Sequence, residues 1–241
     1  MSGVIEEEAE LLQIVRADRC ICIHSTVQFV DLALQSIAYR HGLLPYPMVT
    51  LQRAIPKNCE KTMEGFEKIR EQLKAAFRSH RRRALSDVAI LVGSSPIKPK
   101  YTYKIPIHLC DDQNSEIASQ EDQENQENLE STPSKCGSPC SDLSEKEKRS
   151  INRRLFEILP PFLDAQSQAV AATHRIFVLL NGEIELISEE MDEYPLDDST
   201  LMDSALNLCL RHEECSMSKQ TLQADTFKWL RINPFITGGK L

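Results

Sequence analysis

Two short runs of the sequence carry residue types that could bind a metal or act as thiol nucleophiles. CICIH places Cys20, Cys22 and His24 at alternate positions, and CLRHEEC brings Cys209, His212 and Cys215 close together. On an extended strand the first three would share one face, because side chains alternate with a period of two. Structural zinc sites pair their ligands as C-x2-4-C, and neither run has that form. The chain holds 8 cysteines and shows no secretory signal, so they read as free thiols. Cys20 and Cys22 are expected to be half-buried strand residues. Carboxylates are abundant, but they crowd into residues 111–130 and the acidic turn near Glu189, where solvation accounts for them. The chain contains no phosphate-cradling glycine loop, no G-x-S-x-G elbow and no H-E-x-x-H. Catalytic groups need a rigid shell. The residues therefore point to binding rather than catalysis, with no metal or other cofactor expected.

Charge and hydropathy narrow the partners. A formal net charge of −8 argues against a nucleic-acid binder, since phosphate recognition needs a basic surface. No apolar run approaches the roughly 18 to 20 residues of a membrane span, and the first residues, MSGVIEEEAELLQIV, are acidic where a signal peptide would be basic. An intracellular chain with no membrane partner is expected. Its 241 residues, 41% hydrophobic and 27% charged, are enough to bury a sizeable core.

The elements that must position any site follow from periodicity. From Thr26, the residues Val27, Val30, Ala33, Leu34, Ile37 and Ala38 predict a helix capped by Ser25 or Thr26. Gly42 and the LPYP run from Leu44 to Pro47 end it. A second helix is predicted from about Asn58 to Arg81, with Met63, Phe66, Ile69, Leu73, Ala76 and Phe77 as its apolar stripe. Arg81, Arg82 and Arg83 suit the negative end of the helix macrodipole, and they also have the composition of an import or docking patch. Asp87 to Gly93 reads as a strand at the centre of a sheet, because its apolar run is continuous. Tyr101 to Leu109 reads as another strand, with Pro106 at an edge or bulge because it lacks an N–H.

From Asp111 to Asp142 the composition turns polar and acidic, too poor in apolar surface to repay the entropy of ordering, and a disordered loop is expected. Thr132-Pro133 and Ser138-Pro139 within it have the form of proline-directed phosphorylation sites. A third helix is predicted over Leu143 to Leu159, entered through Ser141 or Asp142 and stopped by Pro160-Pro161. Ile151, Leu155 and Ile158 share one face of it, whereas Phe156 points about 130° away, on the side of Arg149 and Asn152. That Phe is either an exposed anchor for a partner or a residue covered by neighbouring elements, and periodicity leaves both open. Further on, HRIFVLL and EIELI flank Asn181-Gly182, the strongest two-residue hairpin signal, and strands follow from Ala205 and Thr226. This order predicts an α+β protein with helices packed on one face of a mainly antiparallel sheet. It reads as a short acidic arm, 1–18, and a single domain, 19–241, interrupted by the loop 111–142.

Several segments, taken in their order and spacing, resemble the comet family of HORMA-like adaptors. They are SIAYRHGLLPYPMVTL from Ser36, NCEKTMEGFEKIREQLKAAF from Asn58, VAILVGSSPIKPKYTYKIPI from Val88, RRLF from Arg153 and WLRINPFITG from Trp229. The resemblance implies a HORMA-like fold whose C-terminal segment wraps on its own sheet. It implies no enzymatic activity, and a nuclear and cytoplasmic location associated with the mitotic spindle or kinetochore. The implied partner is the closed, peptide-bound form of the mitotic-arrest-deficient HORMA checkpoint protein, docked through the third helix so that the spindle checkpoint is silenced. The family's interface Phe falls on Phe156, with Arg149, Asn152 and Arg153 beside it. A second interface position falls on Arg40, where relatives carry an amide, a different hydrogen-bonding partner from a guanidinium. The second implied partner is a Pch-type AAA+ ATPase, to which the adaptor presents its cargo. Compared with the family, the N-terminal arm is short and the acidic loop long. Two other readings remain: a HORMA protein that closes its C-terminal segment around a short peptide, as a checkpoint or translesion-polymerase accessory subunit does, and a small metalloprotein or redox enzyme using Cys20, Cys22, Cys209 or Cys215.

Overall fold

The computed structural model describes residues 12–51, 55–78, 85–108, 141–160, 174–183, 191–195, 205–213 and 227–238. Strand β2 (Leu85–Gly93) is its axis. Residues Val88 to Val92 are apolar at every position and all are fully buried, the pattern of a strand covered on both faces. β2 pairs antiparallel with β3 (Tyr101–Pro106) on one side and with β4 (Arg175–Glu183) on the other. The sheet is completed by β1 (Leu12–Ala17), β5 (Met191–Glu193), β6 (Leu206–His212), β7 (Phe227–Ile232) and β8 (Ile236–Thr237). Its order is β1-β6-β3-β2-β4-β7-β5, with β8 also on β4. β6 runs parallel to both β1 and β3, and the other pairs are antiparallel.

The helices are α1 (Ile23–Arg40), the single turn α2 (Met48–Leu51), α3 (Glu60–Arg78) and α4 (Glu145–Ile158). The inward residues Val88, Ile90 and Val92 of β2, with Ile176, Val178 and Leu180 of β4, share one core with Phe29 and Ile37 of α1, Phe66 and Ile69 of α3, and Ile151 and Leu155 of α4. Alternate residues of the same strands, Ala89, Leu91, Phe177 and Leu179, form a smaller cluster with Trp229 on the other face. The predicted apolar stripe of the second helix is buried in full. An α+β protein with a mainly antiparallel sheet is therefore what the chain folds into.

Several expectations need correction. Asn181 and Gly182 make no hairpin turn. They lie inside β4, where Asn181 pairs with Asp87 and Trp229, and Gly182 with Leu85 and Lys228. A type I′ turn requires positive φ. Among the described residues the positive-φ glycine is Gly42, at 70°. What Gly182 marks is a bulge, since the register of β2 on β4 slips between Leu85 and Asp87 opposite it. The expected acidic arm, 1–18, is shortened because Leu12–Ala17 form β1, while residues 1–11 lie outside the described ones. Cys20, Cys22 and His24 are not on a strand. Cys20 and Cys22 are fully buried, Cys22 is the N-cap of α1, and His24 is an exposed residue of its first turn. The cap therefore sits at Cys22 rather than Ser25 or Thr26. Ser25, three residues into the helix, accepts a hydrogen bond from the Cys22 N–H at 2.9 Å. The third helix is capped by Ser144, not by Ser141 or Asp142.

Other readings stand where they can be compared. α1 ends on a Schellman arrangement, in which Leu43 N–H donates to Ala38 O at 2.9 Å and Gly42 N–H to Tyr39 O at 3.0 Å. Pro106 is the final residue of β3, beyond the two positions, Tyr103 and Lys104, that pair with β6. Most of the expected loop 111–142, with Thr132 and Ser138, lies outside the described residues, as do Cys215 and Arg81 to Arg83. Its end is fixed: Arg19 donates to Ser141 Oγ and, at 3.1 Å, to Asp142 O. At the other end of the chain, β7 and β8 both pair with β4, and Thr62 Oγ of α3 donates to Thr237 O at 2.7 Å. The C-terminal segment is thus held between the sheet and α3.

Candidate protein interface

The residues that gather at a surface do so around α4. Its start is fixed by a capping box. Glu147 N–H donates to Ser144 Oγ at 3.3 Å, and Ser144 N–H donates to Glu147 Oε2 at 2.7 Å. Burial works against ionisation of Glu147, but the hydrogen bonds from Ser144 and the nearby Arg19 outweigh it and hold the carboxyl below its ordinary pKa. The helix then buries Ile151 and Leu155, with Leu143 and Leu159 buried at its two ends.

Phe156 lies on the flank of this helix and is 47% exposed. Its ring stacks beside Tyr39 of α1, with centroids 6.2 Å apart and planes 26° from parallel. The other contact is Arg40, whose Cζ stands 4.1 Å from the ring centroid, a cation–π placement. Arg40 also donates to Phe156 O at 2.9 Å and Leu159 O at 2.8 Å. Those carbonyls are among the last of α4, which no intrahelical N–H can reach. One guanidinium therefore closes the end of α4 and packs on the Phe156 ring. Arg40 is partly exposed, and its guanidinium bridges α1 to the end of α4.

Arg149, Asn152 and Arg153 are exposed. Asn152 accepts from Ser36 Oγ at the long distance of 3.5 Å, and Arg153 pairs with Glu157 at 3.3 Å. Arg149, Asn152 and Phe156 line one groove of about 690 Å3 that runs over α1 to α2 and α3. Arg153 is not among the residues lining it. The far wall includes Met48 and Val49 of α2, and Val49 is among the most exposed apolar side chains. The floor is tied together by Arg70, which reaches Asp31 and Glu67 at 2.6 Å each, while Gln35 donates to Asp31 at 2.7 Å. The Val49 wall is a contribution the sequence reading missed. Its signal was present in the apolar Met48-Val49 pair just beyond a helix-breaking run.

Among the described residues, acid–base or thiol chemistry finds no comparable geometry. Among the described residues, no three His, Cys, Asp or Glu side chains gather as a metal site. Cys209 and His212, three apart on β6, cannot share a face of the strand. Burial pushes the Cys209 and Cys59 thiols above their ordinary pKa, away from a reactive thiolate. His41, at the end of α1, hydrogen-bonds Tyr103 OH inside the protein. Burial, with help from His174, Lys100 and Arg40, lowers its pKa to about 4, so it is neutral at pH 7. No protein-family model and no curated protein sequence matches this chain.

Proposed function

We propose that the chain is a HORMA-like adaptor without catalytic activity, which docks a second folded protein through the groove between α4 and α2. The observation that carries this reading is Phe156: a large aromatic ring set against Tyr39 and Arg40 at a groove edge with half its surface open. A pre-oriented aromatic at a groove is the type of group that dominates an interface, and truncating such an anchor costs about 2 kcal/mol or more. The order of the resembling segments supports the closed mitotic-arrest-deficient HORMA checkpoint protein as partner, presented to a Pch-type AAA+ ATPase. Checkpoint silencing at the spindle or kinetochore, in nucleus and cytoplasm, is the role proposed. The C-terminal segment pairs with the chain's own β4, which favours an adaptor over a protein that clasps a foreign peptide with that segment.

Pull-downs with the closed and open forms of the checkpoint protein test the proposal. Binding to the closed form alone, lost in Phe156→Ala, is the expected result. Equal capture of both forms, or full binding by the variant, would refute it. A foreign strand found clasped beneath residues 205–238 would favour the peptide-clasping alternative.

A further inference from the structure

The flank of α4 turned away from Phe156 has a different character. Arg154 lies about 200° of helical rotation from Phe156. It lines a groove of about 530 Å3 with Leu12, Ile14, Arg16, Arg211 and Glu213. β1 is the last strand at this end of the sheet. Its pairing with β6 occupies one side of its backbone, and no described strand pairs with the other. An outermost strand presents a row of N–H and C=O groups that invites further pairing, and proteins usually blunt it with Lys, Pro or a bulge. β1 reads LQIVRA, with neither Lys nor Pro, and it pairs with β6 in unbroken register. Leu12 on this edge is 50% exposed.

Charge is the second observation. Arg16 stands directly opposite Arg211 across the β1–β6 pair, a placement that is unfavourable for like charges. Glu213 reaches Arg16 at 2.7 Å, but among the described residues Arg211 has no ion pair. Arg154 shares Glu157 with Arg153, at 3.3 Å from each. Three guanidinium groups and one carboxylate therefore line a groove on a chain whose formal net charge is −8. Guanidinium groups bind carboxylates in a bidentate fork.

We infer that the outer edge of β1 is a docking site for an extended acidic segment of a partner protein. The segment adds to the sheet as a further strand and sets its carboxylates against Arg16, Arg154 and Arg211. Main-chain hydrogen bonds supply affinity, and alternate side chains supply the selection for acid. The site shares no residue with the Phe156 groove, so the two surfaces succeed or fail separately.

The test is fluorescence anisotropy on the full chain with labelled peptides of four Glu-Val repeats, four Lys-Val repeats and four Glu-Pro repeats. The last keeps the charge, removes every second N–H donor and holds φ at each proline near −65°, away from strand geometry. Binding of the Glu-Val peptide, at least tenfold tighter than either other peptide, is expected. Arg154→Glu with Arg211→Glu should weaken it at least tenfold. Arg154→Gln with Arg211→Gln, which avoids introducing carboxylates, should weaken it less but clearly. Lys228→Gln, towards the opposite end of the sheet, should leave it unchanged. No binding of the Glu-Val peptide, or unchanged affinity in both double variants, would overturn the site. Equal binding of the Glu-Pro peptide would overturn strand addition. Binding seen only after Glu6, Glu7, Glu8 and Glu10 are changed to Gln would make the chain's own first residues the occupant and overturn the assignment to a partner.

Discussion

α3 and α4 are amphipathic helices on the same face of one sheet, yet they dispose of their apolar residues differently. α3 buries Met63, Phe66, Ile69, Leu73, Ala76 and Phe77. The C-terminal segment crosses it so closely that a Cβ on Gly65 would stand 3.1 Å from Phe235 O. α4 buries only Ile151 and Leu155 along its length and leaves Phe156 half open. Its ends are secured instead, by the Ser144–Glu147 box at the start and by Arg40 at the finish. A helix fixed at its ends can keep a flank unfilled, whereas one fixed by its stripe cannot.

The largest effect that should separate the two helices is in the core. Phe66→Ala is expected to cost about 3 to 5 kcal/mol in a denaturant melt, while Phe156→Ala costs under about 1 kcal/mol. Equal losses would erase the contrast between the helices. Next in size is the pH dependence of the joint that carries Arg40. His41 has its pKa lowered to about 4 by burial, then by His174, Lys100 and Arg40, against an ordinary value of 6.5. A lowered folded pKa means that the unfolded chain binds the proton first. The stability is complete above pH 6.5 and drains away as pH falls towards 4, by about 3 kcal/mol in total. His41→Gln should remove that part of the slope in parallel melts. Identical slopes would show that His41 titrates alike in the folded and unfolded chain.

Third, if the proposed function holds, Phe156→Ala should weaken binding of the closed checkpoint protein at least about 30-fold by calorimetry, an effect of about 2 kcal/mol, with the melt nearly unmoved. Loss of folding together with loss of binding would make Phe156 a core residue like Phe66. The smallest effect is at the cap: Ser144→Ala should lower stability by about 1 kcal/mol. An unchanged melt would transfer the anchoring of α4 to its other end.

Much of this arrangement was legible in the residues. The stripe of α3 and the unbroken apolar run of β2 each have one physical solution, burial on one flank or on two faces, and both take it. The S-x-x-E signature of Ser144 and Glu147 was equally readable, but the nearer Ser141 and Asp142 offered the same cap chemistry. Asn181-Gly182 misled for a physical reason: the dipeptide favours a turn locally, but β2 and β7 pair with it from both sides, and those long-range pairings hold it in an extended strand. Arg40 could not be placed from local sequence at all. Its partners, Phe156 and Leu159, are more than a hundred residues away along the chain. The same holds for β1, whose neighbour β6 lies near the other end.

The way β4 is paired has a consequence for biosynthesis. One neighbour of this inner strand, β7, and the short β8 beyond it come from the final stretch of the chain. A nascent polypeptide from which residues 227–237 have not yet emerged therefore holds β4 with one edge bare, a state prone to mispairing with other chains. Completion of the sheet must await β7 and β8, so a premature stop codon before Phe227 would yield a product that aggregates rather than a shortened but folded protein.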